Sequence, residues 1–577
     1  MIRQWSQRTS LSDFLEGEEK LPPLVVEILK KRMSASSDLK NILEAQLDSL
    51  ADPMTIVDMD KAVDRLEKAF DQQEHLCIYA DFDLDGTSGL ALLQKALVDL
   101  GFSKVSYYQP RRLTEGYGFH AHAVEEIQAR GVSLLITVDV GITAFAACQK
   151  SEEIGLDVMI TDHHQASPTE GLPKALAIVN PNRKDDTSGL GYLSGVGVAF
   201  YLARALKKRL VQKNKIDSKS MDLKSLLDVF TIGTVTDMVP MIKDNRLLVK
   251  HGLVELEKTK RMGLIHLMKQ LKLQGRPLTA QDVGIRLAPK LNALSRLESS
   301  HLPVEIFLET DPDRAHQMAL DILKVHEHRV ELQSVAEKKA QQELQHLKNP
   351  PFVAIYSKDF HKGVIGLVAT KLSSQFQCPA FVGSLNEQGK IAGSARIPFD
   401  RWGNILEYFP ASEMNILERS GGHPAAAGFE LKEQNWDLFF QFLTDRFQSS
   451  VVGHSGEPTV LESFYDVEVQ AHDLQKSLMK WLDFLGPWGQ GFVQPVFLLR
   501  NCQLREPREL RGGHLKAKVH GQEMEVLMFS PRSKDESLQL MQGPVDLLGE
   551  LQWNHFGGKS NLQMLLKDMR TAQGVEG

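Results

Sequence analysis

Between residues 71 and 240, short apolar runs alternate with amphipathic stretches: Leu76–Ala80, 104–108, Leu134–Val138, Asp157–Thr161 and 175–179. Short β-favouring runs read as buried strands, and their alternation with helical periods predicts a parallel α/β sheet. Upstream, 21–30 and 59–70 carry apolar residues at helical spacing, so residues 1–70 are expected to form an N-terminal helical segment. From 312 to 347 a helical period runs through Ala319, Ile322, Leu323, Leu332, Val335, Ala336 and Leu344 without an interior Pro or Gly. A helix of roughly 35 residues spans about 50 Å. It is expected to be a strut between two lobes, because Asn349-Pro-Pro351 then opens new strand-like runs. Beyond 453–458, short alternating strands broken by Gly and Pro predict a small β-barrel.

The expected organisation is therefore multidomain α/β: a helical segment 1–70, a parallel-sheet domain 71–265, a connecting helical region 266–348, a second α/β domain 349–450 and a barrel 455–577. A length of 577 residues fits three to four domains. The apolar share of 42% and charged share of 24% are those of a soluble globular protein. Cysteines at 77, 148, 378 and 502 form no CxxC pair, which argues against a zinc ribbon or disulfide framework and fits a reducing compartment. With no apolar leader and no stretch long enough to span a bilayer, a cytoplasmic chain without a membrane partner is expected. A net charge of -7 does not by itself point to nucleic acid, yet six Lys or Arg face two Glu between 500 and 518.

Candidate chemistry sits at the strand ends. Asp81, Asp83 and Asp85 alternate in Asp81-Phe-Asp-Leu-Asp-Gly86 after the first run, Asp139 follows the third, and Asp162-His163-His164 follows the fourth. Asp237, in Gly233-Thr-Val-Thr-Asp-Met-Val-Pro240, suits a helix end facing the same crevice. A single Asp at such a junction is most often a cap or turn former; seven acids or histidines at successive strand ends are not explained that way. Crowded carboxylates repel one another unless cations hold them. An EF-hand calcium loop shares the D-x-D-x-D-G start, but Leu92 stands where its bidentate Glu is required. Two divalent cations remain, with Asp83 and Asp85 on different ions, Asp139 bridging, His163 and Asp237 completing the shells, and Asp162 orienting His163. The histidine favours Mn²⁺ beside Mg²⁺. Such a pair activates water for phosphoester hydrolysis.

These residues resemble the DHH phosphoesterase superfamily. The resemblance covers nearly the whole chain and includes Pro110-Arg-Arg112, Glu115-Gly-Tyr-Gly118, Val138-Asp-Val-Gly-Ile142, Gly195-Val-Gly-Val-Ala-Phe200, His361-Lys-Gly-Val-Ile-Gly366, Gly393-Ser-Ala-Arg396, Gly421-Gly-His-Pro-Ala-Ala-Ala-Gly428 and Gly486-Pro-Trp-Gly-Gln-Gly491. It implies a DHH catalytic domain, a long connecting helix, a DHH-associated domain and a C-terminal OB-fold around a channel for one strand. It also implies a single-stranded-DNA-specific 5′ to 3′ exonuclease of repair and recombination that releases 5′ mononucleotides. The metal ligands it implies are Asp83, Asp85, Asp139, His163 and Asp237, with Asp81, Asp162 and His164 as further essential positions. Arg112, Arg296, Ser394, Arg396, Gly421, Gly422 and His423 match positions around the nucleic-acid backbone or its 5′ phosphate. A pocket holding that phosphate one nucleotide from the metals would set polarity and product length together.

Tyr107, Tyr108, Tyr117 and Phe119 are candidates for base stacking, against the plainer reading of core aromatics. The chain departs from the superfamily pattern at Lys290, Ser295 and Phe492. A short DHH oligoribonuclease or cyclic-dinucleotide phosphodiesterase is a rival reading, but those chains lack the OB-like part. A catalytically silent DNA-binding scaffold is another, yet no ligand position is lost. The resemblance further implies a monomer working with a single-strand-binding protein and a RecQ-type helicase.

Overall fold

The apolar runs all form strands of one sheet, in the order Val105–Tyr108, Leu76–Ala80, Leu134–Val138, Asp157–Thr161, Ala177–Val179, with every neighbouring pair parallel. Leu76–Ala80 and Leu134–Val138 are buried at every residue, which is why their sequences show no polar alternation. The second strand in sequence lies on one side of the first and the third on its other side. This is a topological switch point, where the loops leaving the carboxyl ends diverge and open a crevice. Asp81 and Asp139 follow the two strands that flank it.

The computed structural model describes residues 2–13, 18–33, 36–167, 170–348, 350–398, 402–410, 414–451, 460–529, 531, 533–556 and 559–572. They fall into two compact units, residues 53–237 with 255–457, and residues 1–52 with 238–254 and 458–577. In the first unit the helix Leu84–Leu100 packs against Gly195–Gln212 and Leu227–Thr236, fixing three helix ends around the crevice.

The connecting helix runs Pro312–Leu344, started by Asp311, whose carboxylate accepts from Arg314 N at 2.8 Å, and by proline in the first turn. It packs on Met262–Gln270 and Ala293–Arg296 along its first half. Near its end, Ala336, Ala340 and Leu344 enter the core of the next lobe with Val353, Ile355 and Val368. It is thus the expected strut. That lobe is a five-stranded sheet ordered Arg419–His423, Ala426–Lys432, Lys390–Arg396, Ala380–Leu385, Val353–Ser357. Ala380 and Val382 face one apolar core and Phe381 the other.

The second unit holds a seven-stranded sheet between Val467–Val469 and Leu504–Leu510 at its edges. Residues 1–70 differ from the helical segment expected of them. Ile2–Gln7 is a strand, paired in parallel with Val460–Tyr465, and Val25, Ile28, Leu29, Met33 and Leu39 join the core of the C-terminal sheet. Of this stretch, residues 53–70, with Pro53–Thr55 and most of the helix Met59–Gln72, belong to the first unit. Ile-Arg-Gln-Trp-Ser-Gln carries little strand pattern of its own, and its hydrogen bonds come from a partner at the far end of the sequence. Asp466 ties the two segments: fully buried, it accepts from both terminal nitrogens of Arg32, at 2.9 Å from Nη2, and from Val496 N at 2.7 Å. Removing one partner of a buried pair costs about 3–5 kcal/mol. Asp466→Ala should therefore lower the urea midpoint of this unit and expose residues 18–33 to limited proteolysis, while an unchanged midpoint would show the pair to be dispensable.

Candidate metal and phosphate site

The switch point brings ligand atoms of Asp81, Asp83 and Asp139 within 4.8 Å of one another, and those of Asp85, His163 and Asp237 within the same span. A third such group, Asp139, His163 and His164, links the two. Each side chain is delivered by a specific backbone feature. Asp83 caps Leu84–Leu100, its Oδ1 accepting from Asp85 N at 2.9 Å and Gly86 N at 3.1 Å. Asp139 adopts φ +62°, a left-handed conformation that Asp tolerates better than most residues, and its N–H donates to Thr161 O at 3.0 Å. Asp237 is the C-cap of Leu227–Thr236.

Asp85 is fully inside, and both its oxygens accept from the start of Gly195–Gln212, Oδ2 from Gly195 N at 2.5 Å and Oδ1 from Val196 N at 3.0 Å. The positive end of the helix therefore supports one carboxylate. Position 195 has no room for a side chain, since a Cβ there would lie 2.4 Å from Asp139 Cβ and 2.6 Å from its Oδ1. Glycine lets one helix terminus touch two acids.

Four of these acids ionise reluctantly. Burial, then the charge of Asp83, pushes Asp81 up to about 8; burial and Asp83 push Asp237 up to about 7. Asp85 and Asp139 are held well above the usual range, by burial first and then by neighbouring carboxylates. Asp81 Oδ1, Asp139 Oδ1 and Asp237 Oδ2 are buried without a hydrogen bond. Orphaned, mutually repelling oxygens with an imidazole nitrogen 3.1 Å from one and 3.5 Å from another fit a site for hard divalent cations.

Asp162 behaves in the opposite way. Its Oδ1 accepts from His163 N at 2.7 Å, His164 N at 3.1 Å and His164 Nδ1 at 2.7 Å, and its Oδ2 accepts from Ile142 N at 3.0 Å. Burial alone would raise its pKa, but the hydrogen bond and charge of His164 outweigh it and bring the carboxyl down to about 2. Burial likewise opposes charge on His164, and Asp162 reverses this, raising the imidazole to about 9. The ring that Asp162 orients is that of His164, rather than the expected His163. Sequence order could not show this, because both rings follow Asp162 and only the turn decides which one folds back.

The phosphate candidates come from the loop after Val105–Tyr108, which carries Arg112, from the connecting region, which carries Arg296, and from the second lobe. Ser394 and Arg396 lie on one face of Lys390–Arg396, and Arg396 Nη1 donates to Ser394 Oγ at 2.8 Å. Across the sheet Ser394 is in register with Gly428 and then Gly421, and Arg396 with Ala426 and then His423; Gly422 lies between them, opposite Ala427. A Cβ at Gly363 would fall 1.7 Å from Arg296 O, so the glycine allows the loop to close against Arg296. Burial, then the charges of Arg112, Arg329 and Arg396, brings Arg296 down to about 9. Burial, then Arg112, brings Arg396 down to about 10. Arg112, its guanidinium 5.1 Å from the Phe82 ring centre, is lowered by burial, against which Asp81 and Asp83 act. Gly363 and Arg329 were not among the residues expected at the site. Arg329 was legible in principle, as a charge on the apolar stripe of the connecting helix.

Of the aromatic candidates, Phe119 is core, Tyr108 stacks on Tyr79 at 5.3 Å, and Tyr107 is half-buried. Tyr117 is 54% exposed, its ring 5.9 Å from that of His164.

Family models match residues 75–234 as the DHH family N-terminal domain, 349–449 as the DHHA1 domain and 465–568 as the RecJ OB domain. The single-stranded-DNA-specific exonuclease RecJ of Dickeya dadantii is 31% identical over 574 residues, 96% of this chain and 97% of the relative. That of Escherichia coli is 30% identical, covering 98% of each. The chain belongs to the RecJ family. The crystal structure of Thermus thermophilus RecJ in complex with Mn²⁺ superposes with a TM-score of 0.79 at 26% identity, covering all of this chain and 80% of that one. The three positions expected to depart from the superfamily pattern have local partners. Ser295 Oγ donates to Asn292 O at 3.2 Å, Phe492 stacks on Trp488 at 4.7 Å beneath Arg246, and Lys290 is half-buried near Arg286 and Arg329. Among the described residues no helix is long and apolar enough to cross a membrane.

Because Asp81 and Asp237 bind protons more tightly when folded, metal-free protein should lose stability as pH rises from about 4 through 7 and 8, and a divalent cation should restore it. Melting in EDTA and in MnCl₂ checks this: the gain from Mn²⁺ should be larger at pH 8 than at pH 5, and an equal gain at both would refute the cation-site reading. Gly195→Ala should weaken Mn²⁺ binding by about tenfold or more in calorimetric titration, through displacement of Asp139.

Proposed function

We propose that this RecJ-family chain is a divalent-cation-dependent exonuclease on single-stranded DNA that works from the 5′ end and releases 5′ mononucleotides, in DNA repair and recombination. The observation that carries this reading is Arg112, whose guanidinium lies 5.1 Å from the ring centre of Phe82, the residue between Asp81 and Asp83, and whose charge also reaches Arg296 and Arg396. An acidic site and a basic site thus adjoin through one residue. A terminal phosphate gripped by the arginines leaves the nearest phosphodiester facing the carboxylates, which selects both end and product length.

Asp83, Asp85, Asp139, His163 and Asp237 are the residues that would hold the cations, with Asp81 in the first donor group. The chemistry that Mn²⁺ or Mg²⁺ supplies there when bound is a nucleophile drawn from water at neutral pH and charge neutralisation at phosphorus. Asp162 keeps a proton on His164 Nδ1 and so orients that ring at the edge of the cation site. Arg112, Arg296, Arg396 and Ser394, with backbone N–H groups of 421–423, bind and orient the 5′ phosphate. The OB domain is a further surface for single-stranded DNA. An enzyme confined to single strands needs duplex opened and the strand kept accessible, which is where a RecQ-type helicase and a single-strand-binding protein enter this reading.

Single-stranded DNA labelled at either end, incubated with Mn²⁺, Mg²⁺ or EDTA, tests it. The 5′ label should appear first, as a mononucleotide, only with metal, and Asp139→Ala should lower kcat on the order of 10³-fold. Release of the 3′ label first, or full activity in that variant, would refute it.

A further inference from the structure

The buried stripe of the connecting helix runs Ala315, Met318, Ala319, Ile322, Arg329, Ala336, Ala340, Leu344. Two heptad steps place residue 329 between Ile322 and Ala336, where the pattern asks for an apolar side chain. It is an arginine, only 9% exposed. Its Nη1 donates to Gln333 Oε1 at 2.6 Å, and Nε is buried with no partner. The one carboxylate acting on it, Glu337, is reached through Gln333 Nε2 at 2.7 Å. Arg112, Arg296 and Arg396 likewise form no ion pair among the described residues.

A buried guanidinium without a counter-charge is strongly unfavourable. Arg329 is in that position, and its charge acts with those of the half-buried Arg112 and Arg396 on Arg296, a concentration of positive charge that an anion arriving from outside balances. Arg329 acts on Arg296 directly, and the short helix Ala293–Arg296 packs on the connecting helix. The charge of Arg329 also acts on Lys290, whose neighbour Pro289 accepts at its carbonyl from His326 Nδ1 at 3.0 Å.

We infer that Arg329 is a further phosphate-binding residue, which reaches the 5′ phosphate of the substrate from the middle of the connecting helix and sets the preference for phosphorylated over hydroxyl 5′ ends. This rests on the exonuclease reading above. The helix that joins the lobes would then also read the substrate terminus, so that a seated phosphate draws together the segments carrying Arg112, Arg296, Arg329 and Arg396.

The test compares kcat/KM on 5′-phosphorylated and 5′-hydroxyl oligodeoxynucleotides, and melting temperature in EDTA with and without the phosphorylated oligonucleotide. Arg329→Met should reduce the phosphate preference by about ten- to a hundredfold, the loss expected for a charged hydrogen bond, and Arg329→Lys by less. Lys338→Met, an exposed cation of the same helix, should keep the preference. In EDTA without DNA, Arg329→Met should melt at or above the wild type, because it removes an unbalanced buried charge, and should lose the stabilisation by the phosphorylated strand. A preference unchanged in Arg329→Met, whether or not the protein melts lower, would overturn the inference and leave the exonuclease reading standing. A wild type that cuts from the 5′ end without regard to the phosphate would overturn both the basic pocket and Arg329's part in it.

Discussion

Like charge held away from water is the constraint on which the catalytic unit depends. Asp81, Asp85, Asp139 and Asp237 share a space where none ionises readily, and the surrounding fold lowers that strain without abolishing it. The start of Gly195–Gln212 offers two N–H groups to Asp85, and a glycine at its first position lets the helix come that close. Asp139 is held in a left-handed backbone by the neighbouring strand. The site is stable enough to fold and unbalanced enough to demand cations.

The second lobe mirrors this with the opposite sign. Burial and the charge of Arg112 lower the affinity of both Arg296 and Arg396 for protons, as burial and neighbouring carboxylates raise that of the acids. Two sites of unbalanced charge, one negative and one positive, adjoin at a single arginine. A phosphodiester with a terminal phosphate is a ligand whose charges suit both, provided that cations sit in the acidic one.

Much of this architecture was legible in the chain. The parallel sheet followed from five apolar runs, and the connecting helix from its period and from the prolines that follow it. The eight acidic and histidine positions were legible because strand ends of an open sheet converge, so residues far apart in sequence are neighbours by topology. What escaped was pairing over long distance. Ile2–Gln7 reads as nothing in particular until Val460–Tyr465 lies beside it. The partner of Asp162 escaped too, because a one-residue choice between His163 and His164 is made by a turn and not by composition.

The sequence by itself determined the kinds of chemistry available: hard oxygen donors with one imidazole, arginines for phosphate, and strands to carry them, since residue type and hydrophobic period are local properties. Tertiary structure decided what those groups do to one another. Repulsion, burial and hydrogen bonding depend on distances that no single segment contains, which is why Asp162 ends as a satisfied anion and Asp139 as a carboxyl that resists ionising, and why Arg329 shows itself as a buried charge with an unbonded Nε only when the helix is packed.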